Sequence, residues 1–93
     1  MDFLPAQCRA ARALLDWSQD QLAAESHVGT KTVVDFERGK RTPYPRTLED
    51  IRRALERAGI EFIDGNAPGV RLKPAPGPMF QPDELTSEDD RSR

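Results

Sequence analysis

Ninety-three residues, 37% hydrophobic and 32% charged, suffice for one small domain near the lower size limit at which a single core holds without staples. A single cysteine, Cys8, excludes an intrachain disulfide, and a single histidine, His27, leaves no set with metal-ligand spacing, so neither metal nor other cofactor is expected. There is no basic-then-apolar leader and no apolar run of membrane-spanning length, which predicts a cytoplasmic chain with no membrane partner.

The first helix is predicted from about Pro5 to Leu15. Proline suits the first helical position, where its missing N–H would have gone unpaired. Cys8, Ala11 and Leu15 fall on one stripe, with Leu14 beside it, and that stripe is expected to face the core. Cys8 reads as a small buried filler, since no activating base or partner cysteine is identifiable. Ser18 then opens a second helix, with Gln21 three residues on in the S-x-x-Q capping-box pattern. Leu22 and Ala23 point inward, and alanine there permits the close approach a sharp two-helix corner needs. Ser26, His27 and Val28 form the turn, Gly29 caps the third helix, and Gly39 closes it in the left-handed region. At 100° per residue, Val33, Phe36 and Glu37 cluster on one side of this helix. Lys31, Val34, Asp35 and Arg38 cluster on the other.

Lys40 to Pro43 is a basic loop. The fourth helix is predicted from Pro45 to Ala58, with Leu48, Ile51 and Leu55 as its buried stripe, although Thr47-x-x-Asp50 offers a competing start two residues later. Gly59 ends it. The period then changes to two: Ile60-Glu-Phe62-Ile-Asp64 and Val70-Arg-Leu72-Lys73 alternate apolar and charged residues around D-G-N-A-P-G, which signals a hairpin. A lone hairpin is marginal in water, so its apolar face must lie on the helices or on a second copy of itself. From Pro74 the composition turns proline-rich, then acidic. The expected architecture is mainly α: a compact bundle of about four helices over 1–59, a short C-terminal β-hairpin over 60–73, and a disordered tail over 74–93.

The net charge of −2 is unevenly distributed. The tail carries five acids against two bases, while Arg38 to Arg46 contains Arg38, Lys40, Arg41, Arg46 and no acid. A polyanion senses charge within a Debye length of roughly 8–10 Å, so the local sign outweighs the total.

The pattern Gln19-x-x-Leu22-Ala23-x-x-x-x-Val28-x-x-x-Thr32-Val33-x-x-Phe36-Glu37-x-Gly39, followed by Thr47-Leu48-x-x-Ile51, resembles the Cro/C1-type helix-turn-helix family of phage repressors and their bacterial relatives. The resemblance covers roughly residues 8–58. It implies a bundle of about five helices, the last replaced here by the hairpin. The chain departs from the pattern at two positions. His27 stands where the turn usually carries glycine, at a strain of about 1 kcal/mol if its φ is positive. Gly29 stands where a hydroxyl residue is common, at a cost of only a few tenths of a kcal/mol.

By this resemblance Thr30, Lys31, Thr32, Val34 and Asp35 occupy base-reading positions on a helix of about 30–38. Lys31 suits guanine O6/N7, Val34 a thymine methyl, and Asp35 cytosine N4. Lys31 and Asp35 are also an i, i+4 pair, worth only ~0.2–0.5 kcal/mol on an isolated helix. Gln19 sits where unpaired N–H groups and the helix dipole favour phosphate, and the family uses it on the DNA backbone or adjacent bases. Arg38, Lys40 and Arg41 are expected on phosphates. Arg12 and Glu37 match an ion pair of the family, predicted to be largely buried and structural.

No nucleophile with a nearby base, glycine-rich phosphate loop or cleft-facing carboxylate pair is present, so no enzyme is expected. The implied function is a transcriptional regulator binding double-stranded DNA as a homodimer on a (pseudo)palindromic operator, since one helix offers few contacts. The hairpin or the exposed side of the fourth helix would supply the dimer contact, and packing of the hairpin on its own core is the alternative. A rival from another class is an antitoxin-type interaction protein whose acidic tail neutralises a protein partner while it autoregulates its promoter. An architectural or recombination accessory role is a third option.

Overall fold

The computed structural model describes residues 3–74. The disordered tail expected over 74–93 therefore lies, from residue 75 onward, outside the described residues. Four helices, α1 (Pro5–Leu15), α2 (Gln19–Ser26), α3 (Thr30–Glu37) and α4 (Pro45–Arg57), precede strands β1 (Ile60–Ile63) and β2 (Gly69–Leu72). The helix and strand placements follow the pattern read from the sequence. Of the two proposed starts for α4, Pro45 is the one observed.

The core gathers the inner face of every element: Cys8 and Ala11 from α1, Leu22 and Ala23 from α2, Val33 and Phe36 from α3, Ile51, Ala54 and Leu55 from α4. Ile60 and Phe62 of β1 complete it, and Phe3 closes the end, its ring 5.3 Å from Phe36 and 5.1 Å from Phe62. The hairpin thus packs on its own chain's helices. Leu14 does not join the buried stripe, and Leu48 is only partly buried against it. Arg52 covers Phe62, with its guanidinium 4.6 Å from the ring centroid.

Three successive helices end in the same way. Trp17 N–H donates to Arg12 O at 2.9 Å past α1, Val28 N–H to Ala23 O at 3.0 Å past α2, and Lys40 N–H to Asp35 O at 2.9 Å past α3. Each is the long bond of a Schellman motif, which satisfies a carbonyl the helix would leave unpaired and requires a left-handed residue just before the donor. Those residues are Asp16 (φ 59°), His27 (φ 57°) and Gly39 (φ 72°). His27 therefore holds the glycine-favouring conformation without being glycine, a cost of about 1 kcal/mol.

The capping box expected at α2 forms only in part. Ser18 Oγ accepts from Gln21 N–H at 3.0 Å, but the Gln21 amide turns along the helix to Glu25 Oε2 at 3.1 Å. An exposed glutamine is free to take the i, i+4 partner.

The strands are antiparallel, with Ile60 opposite Leu72 and Phe62 opposite Val70. Gln7, buried on α1, donates through Nε2 to Ile63 O at 3.1 Å and Gly69 O at 3.0 Å, and so holds the hairpin against the first helix. Its Oε1 accepts from Leu4 N–H at 3.0 Å, which caps α1. No helix among the described residues is long and apolar enough to cross a membrane.

Candidate nucleic-acid interface

The α2–turn–α3 corner presents the outer side of α3. The turn is tightened by Ser26 Oγ, which donates to Leu22 O at 2.7 Å. Thr30 Oγ1 donates to Asp20 Oδ1 at 3.0 Å, joining the first turns of the two helices. Thr30 and Lys31 are exposed, while Thr32 and Val34 are half-buried. The Lys31 side chain is 83% exposed and its Nζ lies 3.0 Å from Asp35 Oδ2.

Asp35 is not on a fully wet face, as its place on the outer side implied. The residue is buried, because the loop after α3 folds back over it: Lys40 and Arg41 N–H both donate to its carbonyl, at 2.9 and 3.3 Å. The Lys31 hydrogen bond lowers its pKa, and the charges of Lys31, Lys40 and Arg41 add to that. Asp35 is thus a firm carboxylate whose first partner is Lys31, while the exposed Lys31 ammonium keeps two further N–H donors for a base.

On the inner side of α3, Glu37 is only 2% exposed and gathers several donors. Arg12 grips it with both Nε and Nη2, each at 2.7 Å, Cys8 Sγ donates at 3.0 Å, and Gln19 Nε2 donates at 3.1 Å. Arg12 Nη1 reaches Trp17 O at 3.0 Å, and Arg9 donates to the backbone carbonyl of Glu37. Burial alone would raise the Glu37 pKa, but the Arg12, Cys8 and Gln19 donors outweigh it and leave the carboxyl below its ordinary value. One carboxylate therefore ties α1, α2 and α3 together and sets the angle at which α3 leaves the core.

Gln19 sits at the first position of α2, with one amide hydrogen committed to Glu37. Its other amide groups have no partner among the described residues. Arg38, Lys40 and Arg41 are all exposed at the end of α3.

Two neighbours add to the residues singled out from the sequence. Tyr44, just before α4, is 84% exposed, and Arg46 stands beside it on the first turn of that helix. An open groove of about 490 Å³ runs between the turn and this loop, bordered by His27, Thr32, Arg41 and Tyr44. The signal for Arg46 was the acid-free run from Arg38. For Tyr44 it was only an aromatic residue flanked by two prolines.

Several arginines elsewhere on the described surface are neutralised by the chain itself, although Arg9, Arg57 and Lys73 have no carboxylate partner among the described residues. Arg12, Arg52, Arg53 and Arg71 each pair with a carboxylate of the chain. Arg38, Lys40, Arg41 and Arg46 pair with none among the described residues, and they cluster around the end of α3 and the start of α4. Unpaired cations beside an exposed helix face are what a phosphate backbone requires.

A family model described as "Helix-turn-helix" matches residues 9–62, which takes in all of α2, α3 and α4, most of α1, and the start of the hairpin. No individual curated protein matches the chain at a significant level. With more than half of its length matched and the corner of α2 and α3 in place, the chain belongs to the Cro/C1-type helix-turn-helix family of DNA-binding transcription regulators.

Proposed function

We propose that the protein is a sequence-specific transcriptional regulator that binds a (pseudo)palindromic operator as a dimer, with α3 in the major groove. The cluster of unpaired cations around the end of α3 carries the reading. Arg38, Lys40 and Arg41 grip phosphates and fix the register, while Gln19 approaches the backbone from the start of α2. Thr30, Lys31, Thr32, Val34 and Asp35 read base edges. In that role Lys31 reaches guanine, Val34 packs on a thymine methyl, and Asp35, once released from Lys31, accepts from cytosine N4. One helix offers too few contacts for the usual specific affinity, so two half-sites ~34 Å apart supply the rest.

A footprint on the DNA upstream of the coding sequence, titrated with salt, tests this. Lys31→Ala should relax preference at one base pair. Arg41→Ala should weaken all sequences alike and flatten the salt slope by about one unit. Equal, sequence-blind losses from both variants would remove the base-reading role of Lys31.

The second reading, an antitoxin-type protein that neutralises a partner and autoregulates, rests on the proline-rich acidic composition of residues 74–93. Co-purification of a stoichiometric small partner separates it from the first, because both bind DNA.

A further inference from the structure

Arg38, Lys40, Arg41 and Arg46 are all exposed, and no carboxylate among the described residues forms an ion pair with any of them. Cations held this close reinforce one another's field and attract any anion that can reach them. The same chain carries the complementary charge. Asp83, Glu84, Glu88, Asp89 and Asp90 fall within one stretch, residues 83–90, that contains no base. An acid-free run of cations and a base-free run of acids thus belong to one molecule.

The fold sets the gap between them. Pro74, the last described residue, borders an open groove together with Ala58 and Gly59, at the C-terminal end of α4. Arg46 stands at the other end of that helix, whose 13 residues rise ~20 Å. Asp83 follows Pro74 by nine residues and Asp90 by sixteen. Chains of that length span ~17–22 Å root-mean-square as coils, and ~30 Å or more at full extension. A tether whose mean span matches the gap gives the highest effective concentration, of roughly millimolar order. Nearer cations are poorer partners. Arg57 and Lys73 border the groove at Pro74, but Glu56 borders it with them, and Arg57 turns to the Glu25 carbonyl.

We propose that the surface formed by Arg38, Lys40, Arg41 and Arg46 docks residues 83–90 of its own chain, which occupy it until DNA displaces them. This rests on the reading of that cluster as the phosphate-binding surface and adds a competitor to it. Carboxylate and phosphate oxygens take the same guanidinium and ammonium donors, so one must leave before the other enters. Each exposed pair is weak and screened by salt, which keeps the segment displaceable by a duplex that presents many phosphates at once. The loss of affinity falls equally on operator and random duplex, because both need the cluster. Base readout by α3 is untouched, since the docked segment answers the cations and not the bases.

Two measurements on the full chain test this. A carbodiimide joins a carboxylate to an amine only at contact distance, and should link Lys40 to the 83–90 segment in the free protein. In a mixture of unlabelled and isotope-labelled chains the linked peptides should never combine the two masses, and excess random duplex should abolish the link. The second measurement uses the chain carrying Asp83→Asn, Glu84→Gln, Glu88→Gln, Asp89→Asn and Asp90→Asn, which changes no described residue. It should bind operator and random duplex alike about tenfold more tightly at ~50 mM salt, and within about twofold of wild type at ~300 mM. Links confined to Lys73, or links that combine the two masses, overturn docking by the chain's own segment. Tighter binding by the neutralised chain without a Lys40 link in wild type is bulk repulsion and overturns it too, while operator binding leaves the DNA reading standing. A Lys40 link with unchanged affinity at low salt overturns the competition. A Lys40 link in a protein that binds no duplex at any salt supports the docking and removes the DNA reading.

Discussion

Cys8 Sγ donates to Glu37 Oε2 at 3.0 Å across the α1–α3 contact, with both side chains sealed from solvent. Burial raises the thiol's pKa first, and the hydrogen bond to Glu37 and its negative charge raise it further, against smaller opposing effects of Arg12 and Arg9. The thiolate is the reactive form, so the folded protein should be nearly inert to iodoacetamide and react fully once unfolded in urea. Native-state labelling as fast as unfolded labelling would show that the cluster opens.

Arg12→Ala leaves Glu37 buried without its cation. The loss should be about 3 kcal/mol in urea melts, near the lower end for broken buried pairs. The Arg12 side chain is itself 19% exposed, and Cys8 and Gln19 still donate to the carboxylate. An unchanged midpoint would remove Glu37 as the organiser of the three helices.

The same pair fixes a pH dependence. Glu37 has a depressed pKa in the folded protein, so its stabilising contribution is complete above the ordinary carboxylate value of about 4.3 and is lost as pH falls through the lower folded value. In Arg12→Ala burial prevails and the folded pKa rises, so acid relieves the variant by protonating the stranded carboxylate. The stability gap between the two proteins should therefore narrow from about pH 7 to about pH 4, measured by urea melts at each. A gap that widens on acidification would contradict the burial argument.

His27 occupies φ 57° at the helix-turn-helix corner. His27→Gly removes the Cβ penalty but gives the unfolded chain more freedom, so the net gain should be about 0.5–1 kcal/mol in thermal melts. His27→Val should move the melting point the other way, since a β-branched residue tolerates this conformation worst.

Asp35 holds Lys31 at 3.0 Å and so removes one cation from the surface offered to DNA. Asp35→Ala frees that amine. Binding to a non-specific duplex should tighten, with a salt slope steeper by about one unit in anisotropy titrations. A slope unchanged from wild type would place Lys31 away from the phosphates.

The four helices and the hairpin were legible because their signals are local. Proline opens α1 and α4, Ser18 caps α2, glycine closes α3 and α4, and the period change at Ile60 marks the strands. Two of the three Schellman ends were harder to see. The turn at His27 was placed in chain order but its positive φ came only with the resemblance, and Asp16 carries no glycine signal, although aspartate is among the non-glycine residues that tolerate the left-handed region. The Arg12–Glu37 contact was expected from the family pattern, whereas the third donor from Cys8 depends on how closely α1 and α3 approach, which spacing along either helix does not encode. Helical periodicity put Asp35 on the outer side, and it did so correctly. What buries it is the loop from Gly39, whose path depends on Lys40 and Arg41 N–H finding its carbonyl.

The Gln7 clamp gives the chain a mechanical order. Its amide joins α1 to carbonyls 56 and 62 residues away, on either side of the hairpin tip. Contacts of that span close late, whereas the helix ends are made by bonds among neighbours. The last strand is thus latched by the first helix, and release should begin there. Gln7→Ala should speed hydrogen exchange at the β2 amides while leaving α2 and α3 protected, so that the face at Val70 and Leu72 opens before the corner that carries α3 does.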